Sequence, residues 1–154
     1  MKILIVMPTK ANKEPSIIEA LAYLPRLRPP LQATALFTNP KSLFSEEQRT
    51  QRIEAEGLDI LQKTEGYYRI ALCDQGRSYG SEAFASYLEK QASHESKIAF
   101  IIGGAFGLSS HVLKNSQSTL SLSAMTLPHR LAFLMLSEQL FRASEILRGT
   151  AYHK

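Results

Sequence analysis

Four side chains in this sequence could do acid–base or anion chemistry. His129 and His153 can take up or release a proton near neutral pH, although a lone histidine is more often structural than catalytic. Asp74 closes an apolar run and is a further base by residue type. Arg142 carries a guanidinium suited to an anionic or carbonyl-rich ligand. With Glu138 four residues earlier, it is equally half of a surface helix pair. The tail Ala151-Tyr-His-Lys154 sets the ring of Tyr152 beside two groups, His153 and Lys154, able to meet phosphate.

Two loops precede these residues. Gly103-Gly104-x-x-Gly107 lacks side chains where a backbone must approach a ligand or turn with positive φ. No Gly-Lys-Ser/Thr follows, so it is not a P-loop. It also lies far from the first strand–helix turn, where a dinucleotide fingerprint belongs. A tight turn and a ligand loop fit it equally. Leu120-Ser-Leu-Ser-Ala-Met-Thr-Leu127 offers backbone groups for the edge of a purine and Leu and Met for its face. A plain strand exit and helix cap accounts for the same residues.

The elements that must position these groups alternate. Lys2 to Met7 is apolar and bounded by Pro8, a buried strand. Glu14 to Leu24 has helical apolar spacing, with Pro15 in its first turn. Leu31 to Thr38 is a second strand. Ser45 with Gln48 resembles a capping box for a helix to about Lys63, whose charges, Glu54, Glu56, Arg49 and Arg52 among them, read as a solvated face. The sharper alternative has Lys41, Arg49 and Arg52 touching RNA phosphates. Tyr67 to Cys73 is a third strand ending in a turn at Asp74-Gln-Gly76. Ser81 to Gln91 is a helix, Lys97 to Ile102 a strand, Leu108 to Lys114 a short helix and Thr119 to Leu122 a short strand. Pro128 to Arg148 is the last helix, with Thr126 before it and Gly149 after it. Such alternation predicts an α/β fold with a mostly parallel sheet and helices on both faces. Ligands of these sheets bind at the carboxyl ends of the strands, where Leu72-Cys73-Asp74, Gly103-Gly104 and Leu122 to Leu127 converge.

The last helix is apolar almost all round in its first half, through Leu131, Phe133, Leu134, Met135 and Leu136. It must be covered on more than one side. A second subunit would cover it, so a homodimer is expected. A central core helix is the alternative.

Length and composition narrow the classes. A chain of 154 residues fits one domain. Hydrophobic residues at 44% and charged residues at 21% are ordinary for a globular protein. A net charge of +4 permits a nucleic-acid partner without demanding one. No apolar run reaches the length of a membrane span, and Met1 to Met7 is too short for a secretory signal core. The single Cys73 excludes an internal disulfide and fits a reducing cytoplasm. No Cys/His cluster has metal spacing, so no metal is expected.

Taken together, Ile102-Gly-Gly-Ala-Phe-Gly-Leu-Ser109, Leu120 to His129, Glu138-Gln-Leu-Phe-Arg-Ala143 and Tyr152-His153 closely resemble the SPOUT-class ribosomal RNA large subunit methyltransferase H family. The N-terminal half matches only in pattern, best at Glu54-Ala-Glu-Gly57. The resemblance implies an α/β fold whose C-terminal chain threads a trefoil knot, a homodimer, and S-adenosylmethionine as cofactor. It also implies methylation of N3 of a pseudouridine in helix 69 of 23S rRNA within the assembled ribosome. It places the cofactor on Leu72, Gly103, Gly104, Leu122, Ser123, Ala124, Met125, Thr126 and Leu127. His129, Arg142 and His153 become the catalytic candidates, and Tyr152, His153 and Lys154 the substrate contacts, with the tail completing the neighbouring subunit's pocket. The chain departs from the family at Cys73, Ala105, Phe133 and Ser144. A related methyltransferase with another RNA target, and a non-catalytic dimeric nucleotide- or RNA-binding module, are the competing readings.

Overall fold

The computed structural model of the chain describes residues 1–10, 13–40, 45 and 48–153. Lys41 and Lys154, both singled out above, lie outside them. Among the described residues five strands form one sheet: β1 (Lys2–Pro8), β2 (Gln32–Thr38), β3 (Tyr68–Ser78), β4 (Lys97–Ile101) and β5 (Ser118–Ser121). Their order is β2-β1-β4-β3-β5, and every pairing is parallel. The helices are α1 (Pro15–Tyr23), α2 (Arg49–Lys63), α3 (Ser81–His94), α4 (Ser110–Lys114) and α5 (His129–Leu147), with a 3₁₀ turn at Leu24–Arg26.

Side chains of a strand alternate between faces, and here both faces are apolar, as a doubly covered parallel sheet requires. Ile3, Ile5 and Met7 of β1 join Ile98, Phe100 and Ile102 in a core completed by Ile17, Phe84, Leu88, Phe133, Leu136 and Leu140 of α1, α3 and α5. The intervening residues Val6 and Ile101 face Ile60 of α2 and Val112 of α4. Phe133 is fully buried and meets Phe37 edge-on at 5.5 Å. Truncating it to Ala would cost about 3–5 kcal/mol.

Three expectations change. The segment Asp74-Gln-Gly76 is not a turn. Leu72 and Arg77 both pair with Leu120, so the residues between them bulge and β3 continues to Ser78. A Cβ on Gly76 would lie 2.5 Å from the Leu120 carbonyl carbon, so only glycine admits this return to the sheet. The capping box at Ser45 is not used: α2 starts at Arg49, and the amide of Gln48 donates to the Ser45 carbonyl at 3.1 Å. Thr126 does not cap α5, because Pro128 holds the cap position without a side-chain bond. Ser109 does cap α4, its hydroxyl accepting from the Val112 amide at 3.1 Å.

Candidate active site

At the carboxyl ends of β3, β4 and β5 lies a cavity of about 730 Å³. Its walls come from the three segments that strand polarity selects. The β3 bulge gives Leu72, Cys73 and Asp74. The β4 exit gives Ile102, Gly103, Gly104, Ala105, Gly107 and Leu108. The β5 exit gives Leu122, Ser123, Met125, Thr126, Leu127 and Pro128, and the start of α5 adds His129 and Ala132.

Backbone forms the glycine wall. Gly104 and Gly107 close an isolated antiparallel bridge, and Gly107 has a φ of 84°, which side chains other than glycine rarely adopt. A Cβ on Gly103 would fall 2.6 Å from the Gly107 carbonyl carbon, and one on Gly104 would fall 2.8 Å from Oε2 of Glu56. The loop is therefore a tight turn and a cavity wall at once. The opposite wall is held by its serines: the Ser121 hydroxyl donates to the Ser123 carbonyl at 2.9 Å, and the Ser123 hydroxyl accepts from the Met125 amide at 3.0 Å. This leaves Met125 76% exposed.

Eight of the nine residues expected to hold a cofactor line the cavity, and Ala124 does not. The sequence reading passed over Leu108, Leu113 and Ala132, which also line it. Helical spacing alone could have marked them as inward-facing, but not toward which space. Glu56 is a plain correction. Its helix was read as a solvated face, yet Glu56 is 4% exposed, because the glycine loop packs over it.

His129 and the other two catalytic candidates are separated. His129 opens α5 at the cavity, whereas Arg142 sits about 20 Å further along the axis at about 1.5 Å per residue. There the Arg142 Nη2 donates to Glu138 Oε1 at 2.6 Å, and its guanidinium lies 4.9 Å from the centre of the Tyr152 ring. Arg142 Nη1 is 3.4 Å from His153 Nδ1, and the Tyr152 hydroxyl donates to Glu138 Oε1 at 3.2 Å. The Tyr152 ring also meets Phe141 edge-on at 4.8 Å. Hydrogen bonding to Glu138 raises the Arg142 pKa further above its usual value. Burial, followed by the charge of Glu138, raises that of the Tyr152 phenol. Burial lowers the pKa of His129, and the neighbouring Arg130 adds to this, while Glu56 and Glu14 oppose it. Among the described residues no group of three or more His, Cys, Asp and Glu could hold a metal ion, and no helix is long and apolar enough to cross a membrane.

A five-stranded parallel sheet with helices on both faces and a cavity over the β3, β4 and β5 exits defines an α/β protein of the doubly covered parallel class. The chain belongs to the SPOUT methyltransferase family: the family model described as "Predicted SPOUT methyltransferase" matches residues 1–153. Proteins named ribosomal RNA large subunit methyltransferase H from Bacillus thuringiensis (strain Al Hakam) and Bacillus cereus (strain B4264) are each 50% identical to it over 103 residues, 66% of this chain and 65% of theirs. The match thus spans just under two thirds of those relatives. Among solved structures, a probable methylase family protein from Haemophilus influenzae Rd KW20 shares the fold with a TM-score of 0.57 at 17% identity, over 99% of this chain and 70% of that one. A probable methyltransferase from Bordetella pertussis Tohama I does so with a TM-score of 0.56 at 14% identity, over 92% and 94%.

Proposed function

We propose that this protein is a cytoplasmic, homodimeric, S-adenosylmethionine-dependent methyltransferase acting on large-subunit ribosomal RNA, at N3 of a pseudouridine in helix 69 of 23S rRNA in the assembled ribosome. The observation that carries the reading is the meeting of Leu72, the glycine loop, the Leu122–Leu127 loop and His129 around one cavity. The match to relatives named as ribosomal RNA large subunit methyltransferases supports the choice of RNA.

The cavity fits the cofactor. Its volume of about 730 Å³ is within the roughly 300–1,000 Å³ of small-molecule sites. Leu72, Leu122 and Leu127 supply apolar surface for a purine, and the 122–127 backbone supplies groups for its edge. Gly103 and Gly104 allow main chain to approach where a Cβ would not fit. When bound, the cofactor supplies an electrophilic methyl group.

The residues then have separate tasks. N3 of pseudouridine lies between two carbonyls and carries a proton, which must leave as the nitrogen attacks. His129, neutral at pH 7 through burial, accepts it at a ring nitrogen. Arg142 stabilises the carbonyl oxygen that gains charge. In its own subunit Arg142 is engaged by Glu138, far from the cavity, so this task falls to the Arg142 and tail of a second subunit. Leu131 and Met135 are 45% and 36% exposed on α5, and Ile18 and Leu21 are 56% and 38% exposed on the adjacent α1. That apolar surface is what a partner would cover.

Titration calorimetry with S-adenosylhomocysteine, paired with methyl transfer to ribosomes and mass spectrometry of the rRNA, tests the proposal. Saturable binding and one methylated pseudouridine are expected. Binding with transfer to a different nucleotide would point to another RNA target. Absent binding would leave a non-catalytic module.

A further inference from the structure

Phe106 is the one residue between 102 and 108 that does not line the cavity. Its ring faces α2, where the guanidinium carbons of Arg49 and Arg52 lie 4.8 Å and 5.2 Å from its centre. Arg52 is held a second time, its Nε–H donating to Glu56 Oε1 at 2.9 Å. Glu56 is buried, and its other oxygen abuts Gly104. An arginine of α2 is thereby tied to both sides of the loop that walls the cavity.

This costs free energy. A surface ion pair gains little, and removing a carboxylate from water is unfavourable unless its partner is well placed. The contacts fix the plane of one guanidinium beside the cavity. With Nε–H on Glu56, the two Nη groups of Arg52 have no hydrogen-bond acceptor among the described residues. A guanidinium stacked on a ring keeps its in-plane donors available, and a planar fork suits a phosphate. A base that enters the cavity leaves its sugar and flanking phosphates outside it, and Arg52, its side chain 16% exposed, stands on the far side of the loop that walls the cavity.

We infer that Arg52, seated on Phe106 and tethered to Glu56, binds an RNA phosphate flanking the target nucleotide, with Arg49 on the same ring. The inference rests on the reading of the chain as an RNA methyltransferase. Arg52 is a positioning residue in this scheme: it sets where the RNA backbone lies relative to the cavity and does not touch the reacting atoms.

The test is methyl transfer to ribosomes by Arg52→Gln and Phe106→Leu, followed against ribosome and KCl concentration. Arg52→Gln should raise KM about tenfold, change kcat less than about twofold and lower the log–log salt slope by about one. Phe106→Leu should raise KM less. Affinity for S-adenosylhomocysteine should stay at the wild-type value in both. Because Arg52→Gln removes one partner of a buried carboxylate, the double variant Arg52→Gln/Glu56→Gln is measured beside it. Wild-type KM and salt slope in the folded double variant and in Phe106→Leu overturn the inference alone. Cofactor binding without any transfer by the wild-type protein overturns the RNA reading and this inference with it.

Discussion

His129 stands in the first turn of α5 with its ring half-buried, and burial moves its pKa below the usual 6.5. Folding therefore weakens proton binding at this ring. Its contribution to stability is complete above about pH 6.5 and is lost progressively as pH falls toward the lower folded pKa. The same shift keeps the imidazole neutral and able to accept a proton at pH 7. The acid limb of log kcat/KM should accordingly fall below pH 6.5, and His129→Asn should lose at least about 100-fold in kcat while binding S-adenosylhomocysteine as before. An acid limb at or above 6.5, or a variant with full turnover, would assign the base elsewhere. The sequence made His129 visible as a residue type beside Pro128. Its burial was not legible, because it depends on segments far away in the chain. Glu56 shows the same limit: its helical spacing with Arg52 looks like a solvated pair, and only the loop 48 residues later encloses it.

Elements were read well where their determinants are local. β1 and β4 are short apolar runs with clear stops, and α5 has an unbroken apolar pattern closed by Gly149, whose φ is +65°. β3 was cut short at Cys73 because Asp-Gln-Gly has turn composition, while its continuation depends on pairing with β5 some forty residues on. By residue type alone the glycine loop fits a turn and a ligand wall equally. The geometry makes these one property, since the close Gly103–Gly107 approach both turns the chain and thins the wall. Gly103→Ala should thus lower stability by about 1–3 kcal/mol and weaken S-adenosylhomocysteine binding at least tenfold. Thermal melts and calorimetry together would check this, and an unchanged affinity would detach the loop from cofactor binding.

For the whole molecule, the separation of His129 from Arg142 is decisive. Leu131, Met135, Glu138 and Arg142 follow one another at intervals of four, three and four, a single stripe on α5. In the proposed dimer, two-fold pairing along that stripe would give each cavity the Arg142 of the other copy. Separately inactive His129→Ala and Arg142→Ala proteins, mixed and allowed to exchange subunits, would then form hybrids with one intact site. Half of a random mixture is hybrid in a symmetric dimer, so about a quarter of the wild-type rate should return. No recovery in a mixture shown to contain hybrids would place both residues in one subunit's task. The apolar breadth of α5 is legible in the sequence, and much of it is spent on the chain's own core through Phe133, Leu136 and Leu140. The trefoil threading implied by the family resemblance has no such signature, because a chain's path through a loop changes neither composition nor periodicity.

The glycine loop also has an evolutionary consequence. Positions 103 and 107 are closed to drift, the first by Gly107 backbone atoms within 2.9 Å of any added Cβ and the second by its φ, whereas at 104 the nearest atom is the end of the Glu56 side chain. Ala105 is exposed, and Phe106 looks outward to α2. One five-residue segment thus joins positions that exclude a side chain to positions, 105 and 106, that carry one. Sequence change is then admitted by the backbone at 105 and 106 and refused at 103 and 107, whatever the cavity binds.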